Sequence, residues 1–213
     1  MSAAVALTSV MAEIHRRGWC DGTGGNFSCV LERHPLTLLM APSGVDKGRV
    51  APDDLIQVDQ HGLVVGGSGR ASAETLLHLA IVQTTGARAV LHTHSQAATL
   101  LSRQCNGTQR SAQPQHSQGL ELSDLEMLKG LEGINSHSTS IHLPILSNDQ
   151  DLQALSNRAI PLLPQAPHGL LIAGHGLYAW GADLPTAQRH LEILEFLLEQ
   201  RWRQLLLELL GSR

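Results

Sequence analysis

The segment from Ser72 to His94 constrains the fold most, because a helix pattern passes into a strand pattern across a short turn. Almost every residue from Ala73 to Thr85 is apolar or small, which indicates a helix that is buried on most of its sides. Ser72 offers an N-cap and Gly86 a stop for this helix. The apolar run that follows ends in His92 and His94. A buried helix leading directly into a buried strand indicates an α/β architecture.

Helix and strand patterns alternate along the rest of the chain. Leu7, Val10, Met11 and Ile14 follow helical spacing, and the polar segment 106–119 predicts a surface loop that is either a lid or a tolerated excursion. Further strands are predicted at Phe27 to Leu31, Leu36 to Met40, Leu55 to Val58, Ser138 to Leu143, Gly169 to Gly174 and Leu177 to Trp180. Further helices are predicted at Ser95 to Ser102, Ser123 to Leu131, Asp149 to Ile160, and from Pro185 onward. These patterns predict one domain over residues 1–213, with one sheet covered by helices.

Composition narrows the classes of partner. A chain of 213 residues with 42% hydrophobic content is large enough to bury one core. A net charge of −4 and the lack of a basic cluster argue against nucleic acid or an anionic membrane surface, and favour a small molecule. Neither a signal peptide nor a spanning segment is evident, and the three cysteines lack CxxC spacing. We therefore expect a cytoplasmic protein with reduced thiols.

Three histidines suggest a metal site. Side chains two apart on a strand share a face, so His92 and His94 are expected to point together, while His175 follows another apolar run. With 12 histidines in the chain, the pair alone is a weak pattern. Zinc held by three imidazoles keeps an open position for a substrate oxygen. Glu74 is the obvious carboxylate for a fourth position, although a glutamate in a first helical turn is also favoured by the helix dipole.

Two glycine-containing turns are candidates for binding an anion. The turns 23–28 and 42–47 are rich in backbone N–H groups and hydroxyls, which can cradle a phosphate. Each turn alone is more often an ordinary connection. Lys47, as a point charge, and Ser72, at a helix start, favour a shared phosphate site.

The order of five short motifs carries a family resemblance that covers nearly the whole chain. Gly-Asn-x-Ser, Pro-Ser-Gly, Ser-x-Glu, His-Thr-His and Gly-His-Gly follow one another as in the class II aldolase/adducin family, which this sequence resembles. The resemblance implies an α/β fold of three layers, α/β/α, with a central mixed, largely antiparallel sheet. It also implies one Zn²⁺ per subunit, a phosphorylated sugar substrate, and a rotationally symmetric homotetramer with sites near subunit boundaries.

Three segments are similar to one dehydratase branch of that family. They are residues 41–47, 126–130 and 175–181. This similarity implies a hydro-lyase that dehydrates a 5-methylthio ketopentose 1-phosphate in methionine salvage. A sugar-phosphate aldolase or 4-epimerase is the nearest alternative enzyme, and a non-catalytic adducin-like module is a second alternative.

The resemblance also implies roles for individual residues. The zinc ligands would be His92, His94 and His175, and the phosphate end would involve Gly25, Asn26, Ser43, Gly44 and Ser72. In the dehydratase branch Glu126 would be the acid/base, whereas in the aldolase branch the proton is moved by the residue that matches Glu74. This chain has both, so the choice stays open. We expect Glu126 to be partly buried and not bound to the metal, because an acid catalyst must hold its proton near neutral pH.

Overall fold

The computed structural model describes residues 2–108 and 119–211. The helices of this part are α1 (Ala3–Arg16), α2 (Thr75–Thr85), α3 (Gln96–Thr108), α4 (Leu152–Ala159) and α5 (Leu184–Gly211). Its strands are β1 (Asn26–Arg33), β2 (Leu36–Met40), β3 (Ile56–Asp59), β4 (Val64–Gly66), β5 (Ala89–Thr93), β6 (Gly119–Ser123), β7 (Ser140–Leu146), β8 (Gly169–Ile172) and β9 (Gly176–Gly181). Short 3₁₀ helices lie at Pro52–Asp54, Glu126–Gly130 and Leu163–Gln165.

The strands of the described residues form one nine-stranded sheet in the order β4-β3-β2-β1-β5-β9-β8-β7-β6. Only the pairing of β7 with β8 is parallel among those described. The predicted α/β class with a mixed, largely antiparallel sheet is therefore confirmed.

Helices cover both faces of the sheet. One core cluster joins residues of α1, α3 and α5 to one face, including Leu7, Leu101 and Leu194. A second cluster joins α2 and α4 to the other face, including Leu77 and Leu155. Alternate residues of a strand point to opposite faces, so the sheet is apolar on both of its sides. This gives the expected three layers.

Most predicted elements are present, with shifted ends. The helix predicted from Ala73 begins at Thr75, and the Ser72 hydroxyl accepts a hydrogen bond from the backbone N–H of Glu74 at 3.3 Å. The strand β4 was not predicted, because its three residues are too short to show a period. The helix predicted over Ser123 to Leu131 is wrong: Ser123 ends β6, Asp124 has a positive φ of 56°, and a 3₁₀ turn follows.

Two remaining expectations concern the chain's surface. The predicted loop 106–119 overlaps α3 up to Thr108, and its residues 109–118, with the question of a lid, lie outside the described residues. Within residues 2–108 and 119–211, no helix combines the length and apolar character needed to cross a membrane.

Candidate metal centre

The three predicted imidazoles come together at one end of the sheet. His92 lies near the end of β5, His94 just after it, and His175 in the turn between β8 and β9. The Nε2 atoms of His92 and His94 are 2.8 Å apart. The ring centroid of His175 lies 5.0 Å from that of His92 and 4.8 Å from that of His94. The rings therefore converge, as strand alternation and the pairing of β5 with β9 require.

The backbone fixes how His92 presents its nitrogens. Its Nδ1 lies 2.9 Å from the carbonyl oxygen of Leu177, so the proton on Nδ1 is donated there and Nε2 is left as a lone pair. This arrangement is common for metal-binding histidines, because the second ring nitrogen orients the first. Gly176 permits the close approach of β9, since a Cβ there would collide with the carbonyl of Thr93.

Glu74 completes the cluster. One carboxylate oxygen of Glu74 and one ring nitrogen from each of His92, His94 and His175 all lie within 4.8 Å of one another. The Oε1 atom of Glu74 is 2.9 Å from Nε2 of His175 and 3.6 Å from Nε2 of His92. The other carboxylate oxygen accepts a hydrogen bond from the side-chain amide of Asn26. Three imidazoles and one carboxylate are a donor set that suits zinc and other divalent transition metals.

The electrostatics of the cluster suit a cation. Burial alone would raise the pKa of Glu74, but the hydrogen bond with His175, the charges of His92 and His175, and the bond from Asn26 lower it well below its usual range. Burial lowers the pKa of His92 strongly. The pKa of His94 is also lowered, mainly by burial and secondly by the charge of the neighbouring His175. At neutral pH the cluster thus offers neutral imidazoles at His92 and His94 and an ionised carboxylate at Glu74, which are states that bind a metal.

Of the residues predicted for the phosphate end, Gly25 and Asn26 border this cluster. Asn26 opens β1 and pairs with His92 across the sheet. Gly25 has a φ of +76°, and a Cβ there would lie 2.8 Å from the carbonyl oxygen of His92. The backbone N–H of Ser43 donates to the carbonyl of Arg70 at 2.8 Å, which ties the turn 42–47 to the segment that carries Ser72. Gly44 has a φ of +77° and open space around its Cα.

Lys47 links the two turns. Its ammonium donates to the carbonyl oxygens of Thr23 at 3.1 Å and of Val45 at 3.0 Å, and the residue is only 3% exposed. Burial lowers the pKa of Lys47, while the charges of Cys20, Asp46 and Glu74 oppose that shift. The structure thus gives Lys47 a bridging position between the turns 23–28 and 42–47, and one N–H of its ammonium remains beyond these two bonds.

Glu126 lies apart from the four-residue cluster. It begins the 3₁₀ helix Glu126–Gly130, and its side chain is 67% exposed. It forms an ion pair with Lys129, and His137 Nδ1 lies 3.7 Å from its Oε2. The bond with Lys129 is the main cause that lowers the pKa of Glu126. The expected partial burial is therefore wrong for the single chain, because the 3₁₀ turn projects this side chain outward.

Tyr178 belongs to the site and was missed by sequence analysis. Its ring stacks on that of His92, with 3.9 Å between centroids and 11° between planes. Burial, and then the charge of Glu74, raise the pKa of Tyr178 well above its usual range. Tyr178 stands opposite His92 in the pair of β5 and β9. Its place in the site follows from this strand register, which cannot be read from the sequence of either strand alone.

Proteins of known name match this chain along nearly all of its length. A methylthioribulose-1-phosphate dehydratase of Xanthomonas oryzae pv. oryzae is 40% identical over 209 residues, which is 97% of this chain and 87% of the relative. A protein of the same name from Yersinia enterocolitica is 39% identical over 214 residues, covering 98% and 96% of the two chains.

Solved structures agree on the fold. An L-fuculose-1-phosphate aldolase of Thermus thermophilus superposes with a TM-score of 0.70 at 27% identity, covering 98% of this chain and 95% of the other. A sugar-phosphate aldolase of Thermotoga maritima, at 18% identity and a TM-score of 0.62, supports the fold alone. The family model described as the class II aldolase and adducin N-terminal domain matches residues 5–202. With its five motifs in order and its histidines and glutamate converging at one end of the sheet, the chain belongs to the class II aldolase and adducin N-terminal domain family.

Proposed function

We propose that this protein is a zinc-dependent hydro-lyase of methionine salvage. Its reaction would convert 5-methylthioribulose 1-phosphate to 5-methylthio-2,3-dioxopentyl phosphate, with loss of water. The observation that carries the proposal is the convergence of Glu74, His92, His94 and His175 in a chain about 40% identical to proteins named methylthioribulose-1-phosphate dehydratase. Cys20 and Cys29 are buried thiols, which supports work in the reducing cytoplasm.

The donor set fits one zinc ion per subunit. His92, His94 and His175 would hold the ion through nitrogen, and Glu74 is positioned as a fourth ligand. Zinc in catalytic sites can expand from four to five ligands, so four protein donors still leave room for a substrate oxygen. When bound, the ion supplies Lewis-acid polarisation of the substrate carbonyl at C2.

The chemistry left to the protein is the movement of two protons. The C3 proton must be removed, and the C4 hydroxyl must be protonated so that it leaves as water. The resulting enol tautomerises to the 2,3-diketone, so the atoms lost are those of one water molecule. A base near C3 and an acid near C4 are therefore required.

We assign the acid role to Glu126 and a metal-binding role to Glu74. The pKa of Glu74 is lowered well below its usual range by its neighbours, so that carboxylate stays ionised and is better suited to bind a cation than to donate a proton. Glu126 has no bond to any of the three histidines, and its ion pair with Lys129, which lowers its pKa, must open before the carboxyl can hold a proton for the substrate. Its exposed position would need cover from a second copy of the chain, as expected of sites near a subunit boundary.

The phosphate would bind where the two turns meet. Gly25, Ser43, Gly44 and Ser72 would supply backbone N–H groups and hydroxyls, and Asn26 would stand between them and the metal through its bond to Glu74. Lys47 would add a positive charge between the two turns, because its ammonium is held there by the backbone carbonyl oxygens of Thr23 and Val45. Backbone N–H groups of glycine-rich turns, together with one positively charged side chain, are a recurring arrangement for binding phosphate.

One experiment separates the alternatives. Purified protein is analysed for zinc, and its turnover of methylthioribulose 1-phosphate is followed by carbon NMR. A diketone phosphate supports the dehydratase, whereas two fragments or an epimer would assign the aldolase or 4-epimerase that the likeness to L-fuculose-1-phosphate aldolase favours. Zinc binding without turnover of any sugar phosphate would indicate the non-catalytic module.

A further inference from the structure

A second group of histidines lies outside the metal centre, next to the segment that carries Glu126. His190 on α5 and His168 just before β8 both face Glu132, which follows the 3₁₀ helix Glu126–Gly130. We propose that His190 is a positioning residue, which anchors the segment of Glu126 through the backbone of Glu132. This inference rests on the proposed function, in which Glu126 moves a proton.

The hydrogen bonds of His190 define its role. Its Nε2 accepts the backbone N–H of Glu132 at 3.3 Å, and its Nδ1 lies 2.8 Å from the carbonyl oxygen of Trp180. Because Nε2 accepts, the proton must sit on Nδ1 and be donated to Trp180. His190 is fully buried, and burial is the main cause that lowers its pKa, so the imidazole stays neutral. The ring therefore bridges β9 and the segment after Glu126.

His168 supports the same bridge. Its ring stacks on that of His190, with 4.2 Å between centroids and 24° between planes. Burial is the main cause that lowers the pKa of His168, and the charge and the backbone of Glu132 oppose that shift. The φ of His168 is +57°, an uncommon backbone conformation for a residue with a side chain. His168 thus packs against the ring that bonds the main chain of Glu132.

Apolar contacts with the core and with α5 also hold the segment that carries Glu126. Leu128 and Leu131 are buried in the same core cluster as α5. Gly130 lies so close to the helix that a Cβ there would be 2.5 Å from Cδ1 of Ile193, one helical turn beyond His190. On the other side of Glu126, the backbone N–H of Asp124 donates to the carbonyl of Thr139 at 3.1 Å. Glu126 thus stands between two anchors, and its side chain projects outward from the segment between them.

A metal site at Glu132, His168 and His190 is the competing interpretation. One donor atom of each residue lies within 4.8 Å of the others. However, both nitrogens of His190 already contact backbone groups, and two nearly parallel stacked rings do not aim their lone pairs at one point. The geometry therefore points to a clamp on Glu132 rather than to a second cation.

The test compares His190→Gln with His190→Asn. A glutamine oxygen can replace Nε2 as the acceptor for Glu132, whereas an asparagine reaches only the position of Nδ1 and its bond to Trp180. We expect kcat to fall about 10- to 100-fold in His190→Asn, because a misplacement near 1 Å costs that much, with KM little changed. His190→Gln should recover most of the loss, and both variants should keep one zinc per chain.

Amide exchange tests the anchor without an activity assay. A peptide spanning residues 125–134 should exchange faster in His190→Asn than in His190→Gln, while a peptide spanning 89–95 should not change. His34→Asn, in the exposed turn between β1 and β2, is the matched control and should leave both readouts unchanged. Equal exchange in the two variants, or a better kcat for His190→Asn, would overturn the anchor. Two zinc ions per chain that fall to one in both His190 variants would do the same and assign the competing metal site.

Gly130→Ala is a second route if the histidine variants do not fold. The added methyl should displace the segment and lower kcat, and the double change Gly130→Ala/Ile193→Ala should restore it by removing the clash. No rescue would contradict positioning by α5. If wild-type protein does not dehydrate the substrate but exchange at 125–134 still responds, the proposed function fails while the anchor stands.

Discussion

At the scale of single residues, the candidate centre depends on which nitrogen each histidine presents. His92 gives its Nδ1 proton to the carbonyl of Leu177, and its ring is stacked on Tyr178. A buried ring held on two sides cannot turn away from the cluster, so Nε2 is fixed in place before a cation arrives. Asn26 fixes Glu74 in the same way.

Replacing His92 with alanine should abolish metal binding and turnover together. The change removes the most buried donor of the cluster, and the remaining donors would hold zinc much more weakly. Zinc content by elemental analysis and turnover are measured on the same sample. His34→Ala serves as the control for losing a histidine at an exposed turn. Full activity in metal-free His92→Ala would contradict the proposed chemistry.

Replacing Glu126 with glutamine should keep zinc and fold but lower kcat by about 10³-fold, the usual range for losing a general acid. The amide keeps the size of the carboxyl but can neither ionise nor donate an acidic proton. Glu74→Gln should differ by losing zinc as well, since Glu74 lies in the cluster. Near-normal turnover in Glu126→Gln would move the acid/base role to Glu74.

At the scale of elements, β5 lies between two helices, and its successive side chains point to opposite faces of the sheet and so contact a different helix each. His92 faces the side of α2, where Glu74 lies, while the hydroxyl of Thr93 donates to Glu195 of α5 on the opposite side. Burial raises the pKa of Glu195 to about 7, although hydrogen bonds from Ser95 and Thr93 oppose the shift. A carboxyl behind the histidine strand is thus close to titrating at neutral pH.

The raised pKa of Glu195 makes stability depend on pH. A group whose folded pKa lies above its unfolded value of 4.5 stabilises the fold fully below pH 4.5, and this contribution is lost as pH rises through about 7. The loss amounts to about 3 kcal/mol at most. Glu195→Gln, which cannot ionise, should therefore gain stability over wild type at pH 8 relative to pH 5. Urea unfolding of metal-free protein at both pH values measures this, with the exposed Glu32→Gln as control. An equal difference at both pH values would refute it.

At the scale of the whole molecule, α5 extends beyond the core. Its first half is buried against the sheet, but Leu207, Leu209 and Leu210 near its end are 68%, 66% and 69% exposed. Apolar side chains clustered on one helix end favour contact with another copy of the chain. The tetramer expected of the family stays a prediction that this surface supports.

Leu207→Lys should weaken self-association. A charge placed in an apolar contact costs its desolvation, so the assembly should shift toward smaller species in sedimentation experiments. Leu63→Lys is the matched control, because Leu63 is 64% exposed in the turn between β3 and β4 and should leave the assembly unchanged. An unchanged assembly in Leu207→Lys would place the subunit contact elsewhere.

The sequence by itself determined the features that depend on local period and motif order. The strand period of two placed His92 and His94 together, the helical spacing of Leu7 to Ile14 predicted α1, and the five motifs in order indicated the family. The tertiary structure decided the contacts between distant segments. It brought Glu74 within 2.9 Å of His175, stacked Tyr178 on His92, buried Lys47 between two turns, and left Glu126 exposed. These outcomes depend on strand register and helix packing, which no short window of sequence encodes, because each joins residues tens of positions apart.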